Sequence, residues 1–278
     1  MKRTTIILVI VTLVLLCIVM ITWCQSARSS NKKQNEVKKE KVSNAINIDD
    51  EGGLMATVSA QPEQQIVRHT AYMLSYNEKA EQPWWVAYLL TGYHVANKVA
   101  DRSNKFIADP LVETGSSEPS DYKQTGYDRG HLAPAGDMAW SKETMRESFY
   151  MSNMSPQLPN FNRGIWKNLE EQVREWAVKN DSLWIVSGPV VRSGSETIGK
   201  DNVAVPEAFF KVIFDISIKD GRKAIAFYFP HKELHESFEK YATTIDEVEK
   251  RTGIDFFAAL PDSVEAIYES ESDLSLWK

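Results

Sequence analysis

Three runs rich in β-branched and aromatic residues follow one another in the second half of the chain. They read SLWIVSG from residue 182, AFFKVIFDIS from residue 208 and KAIAFYFP from residue 223. Such composition is typical of strands that pack within a sheet. Because the runs are grouped rather than evenly separated by helices, they predict an α+β fold. Alternation of apolar and polar residues is clearest in KVIFDISI.

Two further strands and two helices are predicted around these runs. QIVRHTAYMLSY from residue 65 and PWWVAYLLT from residue 83 predict strands joined by a polar turn. A helix is predicted from about Arg163 to Lys179, because apolar residues recur there at helical spacing. A final helix near residues 244–251 is expected to end at Gly253, a favourable C-cap.

The N-terminal segment has the composition of a membrane anchor. Lys2 and Arg3 precede an uncharged run from Thr4 to Gln25, and about 20 apolar residues suffice to cross a bilayer. Residues 1–25 are therefore predicted to be a retained anchor, with a cleaved signal peptide as the alternative. Residues 26–61 have the composition of a flexible polar tether, and residues 62–278 are predicted to form one folded domain.

Charge and cysteine content limit the chemistry of the folded part. The chain has a net charge of −6, with +3 on residues 1–53 and −9 on the remainder. A non-specific nucleic-acid binder usually has a basic surface, so this balance argues against such a partner unless basic residues cluster at the site. The only cysteines are Cys17 and Cys24, so the predicted domain has no disulfide and no thiolate metal site.

The segment TGYDRGHLAPAGDM, residues 125–138, contains the first candidate site residues. His131 has a side chain whose pKa suits a base near neutral pH, and Arg129 suits a phosphate. Gly130 would let the backbone approach a ligand, although an ordinary salt-bridged surface turn has the same composition. Downstream, Asn162 stands at the start of the predicted helix and Glu170 lies about two turns further on. Taken alone, these two are as well explained by an N-cap and a solvated charge.

The motifs YDRGHLAP, SNMSPQ and FNRGIWKNLE together resemble the DNA/RNA non-specific endonuclease family. These are the ββα-metal nucleases that include mitochondrial endonuclease G. The blocks AYMLSYN, PWWVAYLLT, IVSGPV, PEAFFKVIFD and GIDFFAALPD also fit the family, and extend the similarity over residues 66–262. The resemblance implies a ββα-metal (His-Me finger) nuclease fold, with a central antiparallel sheet and flanking helices.

The same resemblance implies a role for each candidate residue. His131 matches the general base that activates water, and Arg129 matches a residue that binds the scissile phosphate. Asn162 matches the single direct protein ligand of Mg²⁺, for which Mn²⁺ is the expected substitute. Glu170 matches an acid that orients a water bound to the metal.

Two further residues match positions of the family, and more than one role is open for them. Arg102 matches a second phosphate-binding arginine, across a loop of variable length. Asn153 matches a polar residue near His131 that contacts substrate or positions the base, and a buried structural amide is an equal alternative. His231 and His235 have the spacing of a zinc peptidase motif, but Lys232 stands where that motif needs a glutamate.

The resemblance implies a Mg²⁺-dependent endonuclease that cleaves DNA and RNA and leaves 5′-phosphates. The alternatives are a catalytically silent nucleic-acid-binding module on the same fold and a phosphodiesterase with a narrower substrate. The family often dimerises, so a homodimer is expected. Export is expected because a free nuclease would damage its own cell. The domain would then be membrane-anchored outside the cytoplasm, or periplasmic or secreted after cleavage.

Overall fold

The structure is a computed structural model that describes residues 57–58, 64–217, 223–258 and 260–278. The predicted anchor at residues 1–25 lies outside the described residues, as does the predicted tether apart from residues 57–58. Among the helices that the structure describes, none has both the length and the apolar character needed to cross a bilayer.

A seven-stranded antiparallel sheet forms the centre of the domain, with strand order β12-β11-β10-β7-β4-β3-β2. Three two-stranded ladders, β1-β13, β5-β6 and β8-β9, complete the described strands. The strands are β1 Thr57–Val58, β2 Gln64–Arg68, β3 Tyr72–Asn77, β4 Gln82–Thr91, β5 Asp128–His131, β6 Met154–Gln157, β7 Ser182–Val190, β8 Thr197–Ile198, β9 Val203–Ala204, β10 Ala208–Asp215, β11 Lys223–Pro230, β12 Ala242–Thr243 and β13 Ile254–Asp255.

Helices cover both faces of this sheet. The α-helices are α1 Gly92–Ala96, α2 Lys142–Glu147, α3 Pro159–Phe161, α4 Lys167–Asn180, α5 Ile245–Thr252 and α6 Asp262–Glu269. A π-helical segment, Asn162–Trp166, joins α3 to α4. Short 3₁₀ turns lie at Pro119–Tyr122, Met151–Asn153, Phe238–Tyr241 and Leu274–Trp277. The α+β prediction and the central antiparallel sheet are confirmed.

Alternate residues of β10 show how the sheet is covered. Phe209 and Ile213 belong to the core cluster that also contains Val173 of α4. On the opposite face, the rings of Phe214 and Tyr268 of α6 lie 5.0 Å apart. All eight residues of β10 are therefore buried, although one polar face would be expected from the alternation in the sequence.

Two predicted boundaries are wrong for local reasons. QIVRHTAYMLSY forms two strands, β2 and β3, because the chain turns at His69, whose backbone N–H donates to Tyr72 O at 2.8 Å. The predicted helix from Arg163 to Lys179 is regular only from Lys167, because Gly164 is non-helical (φ −103°, ψ −108°). The last predicted helix is present as α5, and Gly253 ends it in the left-handed conformation with φ +71°.

Candidate active site

A short hairpin presents the first site residues. β5 pairs antiparallel with β6, and His131, the last residue of β5, lies opposite Met154. Gly130 is required here because a Cβ atom at that position would overlap the side chain of Gln157, which is itself fully buried. The glycine expected to serve ligand approach therefore permits packing within the hairpin.

Asp128, at the start of β5, joins the hairpin to the helical side of the site. Its Oδ2 accepts hydrogen bonds from Asn162 Nδ2 at 2.9 Å and Arg163 Nε at 2.8 Å, and its Oδ1 accepts from Arg163 Nη2 at 2.7 Å. A carboxylate can only accept, so it fixes which end of the Asn162 amide faces it. Oδ1 of Asn162 therefore points away from Asp128.

A second bond ties the far end of β5 to the same helical segment. Trp166 Nε1 donates to the backbone carbonyl oxygen of His131 at 3.2 Å. Trp166 is fully buried, and it lies four residues after Asn162 in the π-helical segment. The irregular start of the helix thus places Asn162 against Asp128 and Trp166 against His131.

The His131 ring is buried among aromatic side chains. It is 7% exposed and lies 4.9 Å from the ring of Phe149 and 5.7 Å from that of Phe106. Burial, and then the charges of Arg102 and Arg129, lower the pKa of His131 from its ordinary value to about 3. Nε2 is sealed from solvent and has no hydrogen-bond partner among the described residues. The imidazole is consequently neutral at pH 7.

Arg102 and Arg129 flank this histidine on the same aromatic pair. The guanidinium carbon of Arg129 lies 4.3 Å from the Phe106 ring centroid, and that of Arg102 lies 5.1 Å from the Phe149 centroid. Neither arginine forms an ion pair with a carboxylate in the described part of the chain. The structure brings both predicted phosphate-binding residues beside His131, and it leaves their charges available to an anion.

Glu170, on α4, lies in a network of buried charges. Burial raises its pKa above the ordinary value, and Lys211 is the strongest of the cations that oppose this shift. Asp137 adds to the rise, whereas Arg174 and Arg102 counter it. Arg174 Nη1 is paired with Asp137 Oδ1 at 2.8 Å, so Asp137 is largely compensated.

Asn153 is the exception among the predicted site residues. It is fully buried, its Oδ1 accepts from Ala133 N at 2.9 Å, and its Nδ2 donates to Ala133 O and Ser148 O, both at 2.9 Å. Both amide hydrogens are therefore used within the protein. These contacts argue against a substrate-binding role and hold the loop that follows His131, as either a positioning residue or a buried structural amide would.

The histidine pair with zinc-peptidase spacing forms no metal site. Nε2 of His231 accepts from Leu158 N at 2.8 Å, and its Nδ1 lies 2.8 Å from Pro206 O, so both ring nitrogens are occupied. His235 is exposed in an irregular stretch, so its spacing of four residues from His231 does not place the two side chains on one face of a helix. Lys211, Trp166, Arg174 and the Phe106–Phe149 pair were not identified from the sequence. The one available signal was a lysine inside the apolar run AFFKVIF.

A hairpin ending in a neutral histidine, bonded to a helix that presents an amide oxygen, is the arrangement of a ββα-metal nuclease. A sequence model of the family described as DNA/RNA non-specific endonuclease matches residues 50–263. The chain belongs to that family. Its members are divalent-metal-dependent nucleases, and their substrates are nucleic acids.

Individual relatives give the extent of the similarity. The chain is 35% identical over 208 residues to the mitochondrial nuclease EXOG of Danio rerio, covering 69% of this chain and 60% of that protein. It is 33% identical over 223 residues to a nuclease of Nostoc sp., covering 76% and 80% respectively. A chain in the crystal structure of the EndoG/EndoGI complex superimposes with a TM-score of 0.67 at 31% identity, covering 71% of this chain and 87% of that one.

Proposed function

We propose that this protein is a Mg²⁺-dependent endonuclease that hydrolyses phosphodiester bonds in both DNA and RNA, with His131 as general base. One observation carries the proposal: β5 is bonded to the π-helical segment at both ends, through Asp128–Asn162 and His131–Trp166. A neutral base and an oriented amide oxygen are therefore held on adjoining elements. Neither feature is needed for a fold that only binds.

The residues supply the parts of a hydrolysis in a consistent way. The neutral imidazole of His131 accepts the proton of the attacking water, and the lowered pKa keeps the ring unprotonated at neutral pH. Arg129 and Arg102 bind the phosphate and stabilise its developing charge. Because these contacts are made to phosphate, neither base nor sugar need be read, which accounts for activity on DNA and RNA. The expected products carry 5′-phosphates.

The side chains present fit a hard divalent cation. Asn162 Oδ1 and the Glu170 carboxylate are oxygen donors, which Mg²⁺ prefers, and Mg²⁺ needs few protein ligands because it keeps several waters. Asn162 would hold the ion directly, and Glu170 would orient water beside it. When bound, the ion would supply positive charge to the transition state. Mn²⁺ has the same ligand preference and is the proposed substitute.

The cellular setting is proposed on sequence grounds. Residues 1–25 would anchor the protein or direct its export, so that the nuclease domain lies outside the cytoplasm or is released after cleavage. The hazard of a free nuclease inside the cell supports this arrangement. A homodimer is proposed because members of the family often dimerise.

The test is cleavage of plasmid DNA and of RNA by the full-length protein in detergent, with Mg²⁺, with Mn²⁺ and with EDTA. Cleavage of both substrates that EDTA abolishes is expected, and His131→Ala should slow it about 10²- to 10⁴-fold. No cleavage with either metal would instead identify a silent binding module. Cleavage of only one nucleic acid would indicate a phosphodiesterase with a narrower substrate.

A further inference from the structure

Lys211 occupies a position where the sheet requires an apolar side chain. It stands between Phe209 and Ile213 on the face of β10 that α4 covers, and it is 0% exposed. Burying an ammonium group is costly unless other groups compensate the charge. The surroundings of Lys211 therefore indicate what its charge is for.

Direct contacts link the ammonium group to the backbone of the base. Nζ of Lys211 donates to Ser187 Oγ at 2.6 Å and lies 4.6 Å from the ring centroid of Trp166. Trp166 in turn donates its indole N–H to His131 O at 3.2 Å. The three side chains are all 0% exposed: Ser187, Lys211 and Trp166. Because a protein interior is closely packed, movement of one would displace the others.

The charge of Lys211 is compensated at a distance rather than by contact. Among the described residues no carboxylate forms an ion pair with Nζ. The acids that favour its charged form are Glu170 first and Asp137 second. Lys211 is also the strongest cation acting on Glu170. In a poorly solvated interior such an interaction persists over several ångströms.

We propose that Lys211 is a positioning residue of the catalytic site, which fixes Trp166 beneath His131 and faces Glu170 with a compensating charge. The proposal rests on the proposed nuclease function. Because Lys211 is fully buried, it acts through Trp166 and Glu170 rather than by touching substrate. Its removal should therefore impair turnover and leave substrate binding intact.

Lys223 provides a matched control within the same sheet. It is 7% exposed, its Nζ donates to Asn180 Oδ1 at 2.8 Å, and it lies 5.0 Å from the ring centroid of Trp277. Unlike Lys211, it has a carboxylate partner, Asp215 Oδ2, at 3.6 Å. Asp215 lies four residues beyond Lys211 on β10, roughly 13 Å along the strand. Lys223 is thus a buried lysine over a tryptophan, away from the site.

The experiment compares Lys211→Met, Lys223→Met and Glu170→Gln with the double variant of Lys211 and Glu170, each as full-length protein. Initial rates on plasmid give kcat and KM, thermal unfolding gives stability, and the NMR resonance of the Trp166 indole N–H reports its bond to His131. For Lys211→Met we expect kcat to fall about tenfold with KM unchanged, and the indole resonance to shift. Lys223→Met should lower the unfolding temperature and leave kcat unchanged.

The double variant separates positioning from general structural support. If Lys211 acts largely through Glu170, Lys211→Met should lower kcat by a smaller factor in the Glu170→Gln protein than in the wild-type protein. Two losses that multiply fully would overturn the part of the proposal that runs through Glu170, and a Lys211→Met kcat within about twofold of wild type would overturn the whole of it. An inactive wild-type protein would instead refute the nuclease function.

A milder variant covers the case in which Lys211→Met fails to fold. Ser187→Ala removes the hydrogen-bond acceptor of the ammonium group and leaves the charge in place. It should lower kcat about fivefold, with KM unchanged. A folded Ser187→Ala protein with wild-type kcat and an unshifted indole resonance would refute the role of Lys211.

Discussion

The two faces of the central sheet hold acidic side chains in opposite electrical surroundings. On the α4 face, Glu170 lies among Lys211, Arg174 and Arg102, each of which favours its ionised form. On the other face, acids of α5, β13 and α6 surround one another. Oxygens within each of two overlapping sets, Asp246–Glu249–Glu269 and Asp255–Glu265–Glu269, lie within 4.8 Å of one another.

Burial raises the pKa of the acids on both faces, and the neighbouring charges decide whether that rise is opposed or increased. Glu170 has its burial partly offset by cations. Burial, and then the charges of Asp255, Glu249 and Asp262, raise the pKa of Glu265 to about 7. The pKa of Glu269 is also raised, by burial first and then by Glu249 and Glu265. Nearby cations favour the ionised form that the site requires, whereas crowded acids destabilise the fold when they ionise.

Removing an acid should therefore damage catalysis on one face only. Asp128→Ala takes away the carboxylate that orients Asn162, and we expect initial rates on plasmid to fall about 10- to 100-fold. Glu269→Gln, on the other face, should stay within about twofold of wild type. Circular dichroism confirms that both variants are folded. A fully active Asp128→Ala protein would show that Asn162 needs no such support.

The sequence revealed the part of the site that is local in the chain. Arg129 and His131 share one strand, and Asn162 and Glu170 share one helical stretch, so their motifs could be recognised directly. Lys211 could not be found in this way, because its position beside Trp166 depends on the pairing of β10 with β7. Asn153 was assigned to substrate because a motif identifies a residue type but not which atoms its amide already contacts.

The fold was predictable where hydrophobic patterns are strong. The strands β4, β7, β10 and β11 follow their apolar runs closely. The turn at His69 was missed because it interrupts a continuous run without glycine or proline. Helix α6 was missed as well, although its rings complete the second cover of β10. Coverage of both sheet faces is a tertiary property that no single segment encodes.

The acid-rich face should weaken the protein as pH rises. The folded-state pKa of Glu269 exceeds its ordinary value of 4.5, so the folded state holds this proton more tightly than the unfolded state. The associated stability is complete below pH 4.5 and is lost as pH rises through the folded pKa. Glu269→Gln should raise the free energy of unfolding by about 2 kcal/mol near pH 9, and by much less near pH 4.5.

Denaturant unfolding at a series of pH values measures this difference. Exposed Glu239→Gln serves as the control and should leave the pH dependence unchanged. An equal gain at all pH values would mean that Glu269→Gln acts through packing rather than charge.

The site face should show the reverse dependence, with a smaller effect. The pKa of His131 falls from its ordinary value of 6.5 to about 3 on folding, because burial and then Arg102 and Arg129 disfavour the charged ring. Stability from this neutral histidine is complete above pH 6.5 and is lost as pH falls toward about 3. The free energy of unfolding of His131→Gln, relative to wild type, should therefore be about 1 kcal/mol higher near pH 5 than near pH 8.

Unfolding in EDTA keeps metal out of the comparison, and exposed His235→Gln should leave the pH dependence as in wild type. A pH-independent difference would show that His131 keeps its ordinary affinity for protons in the folded state, and the contrast between the two faces would then rest on the acids alone.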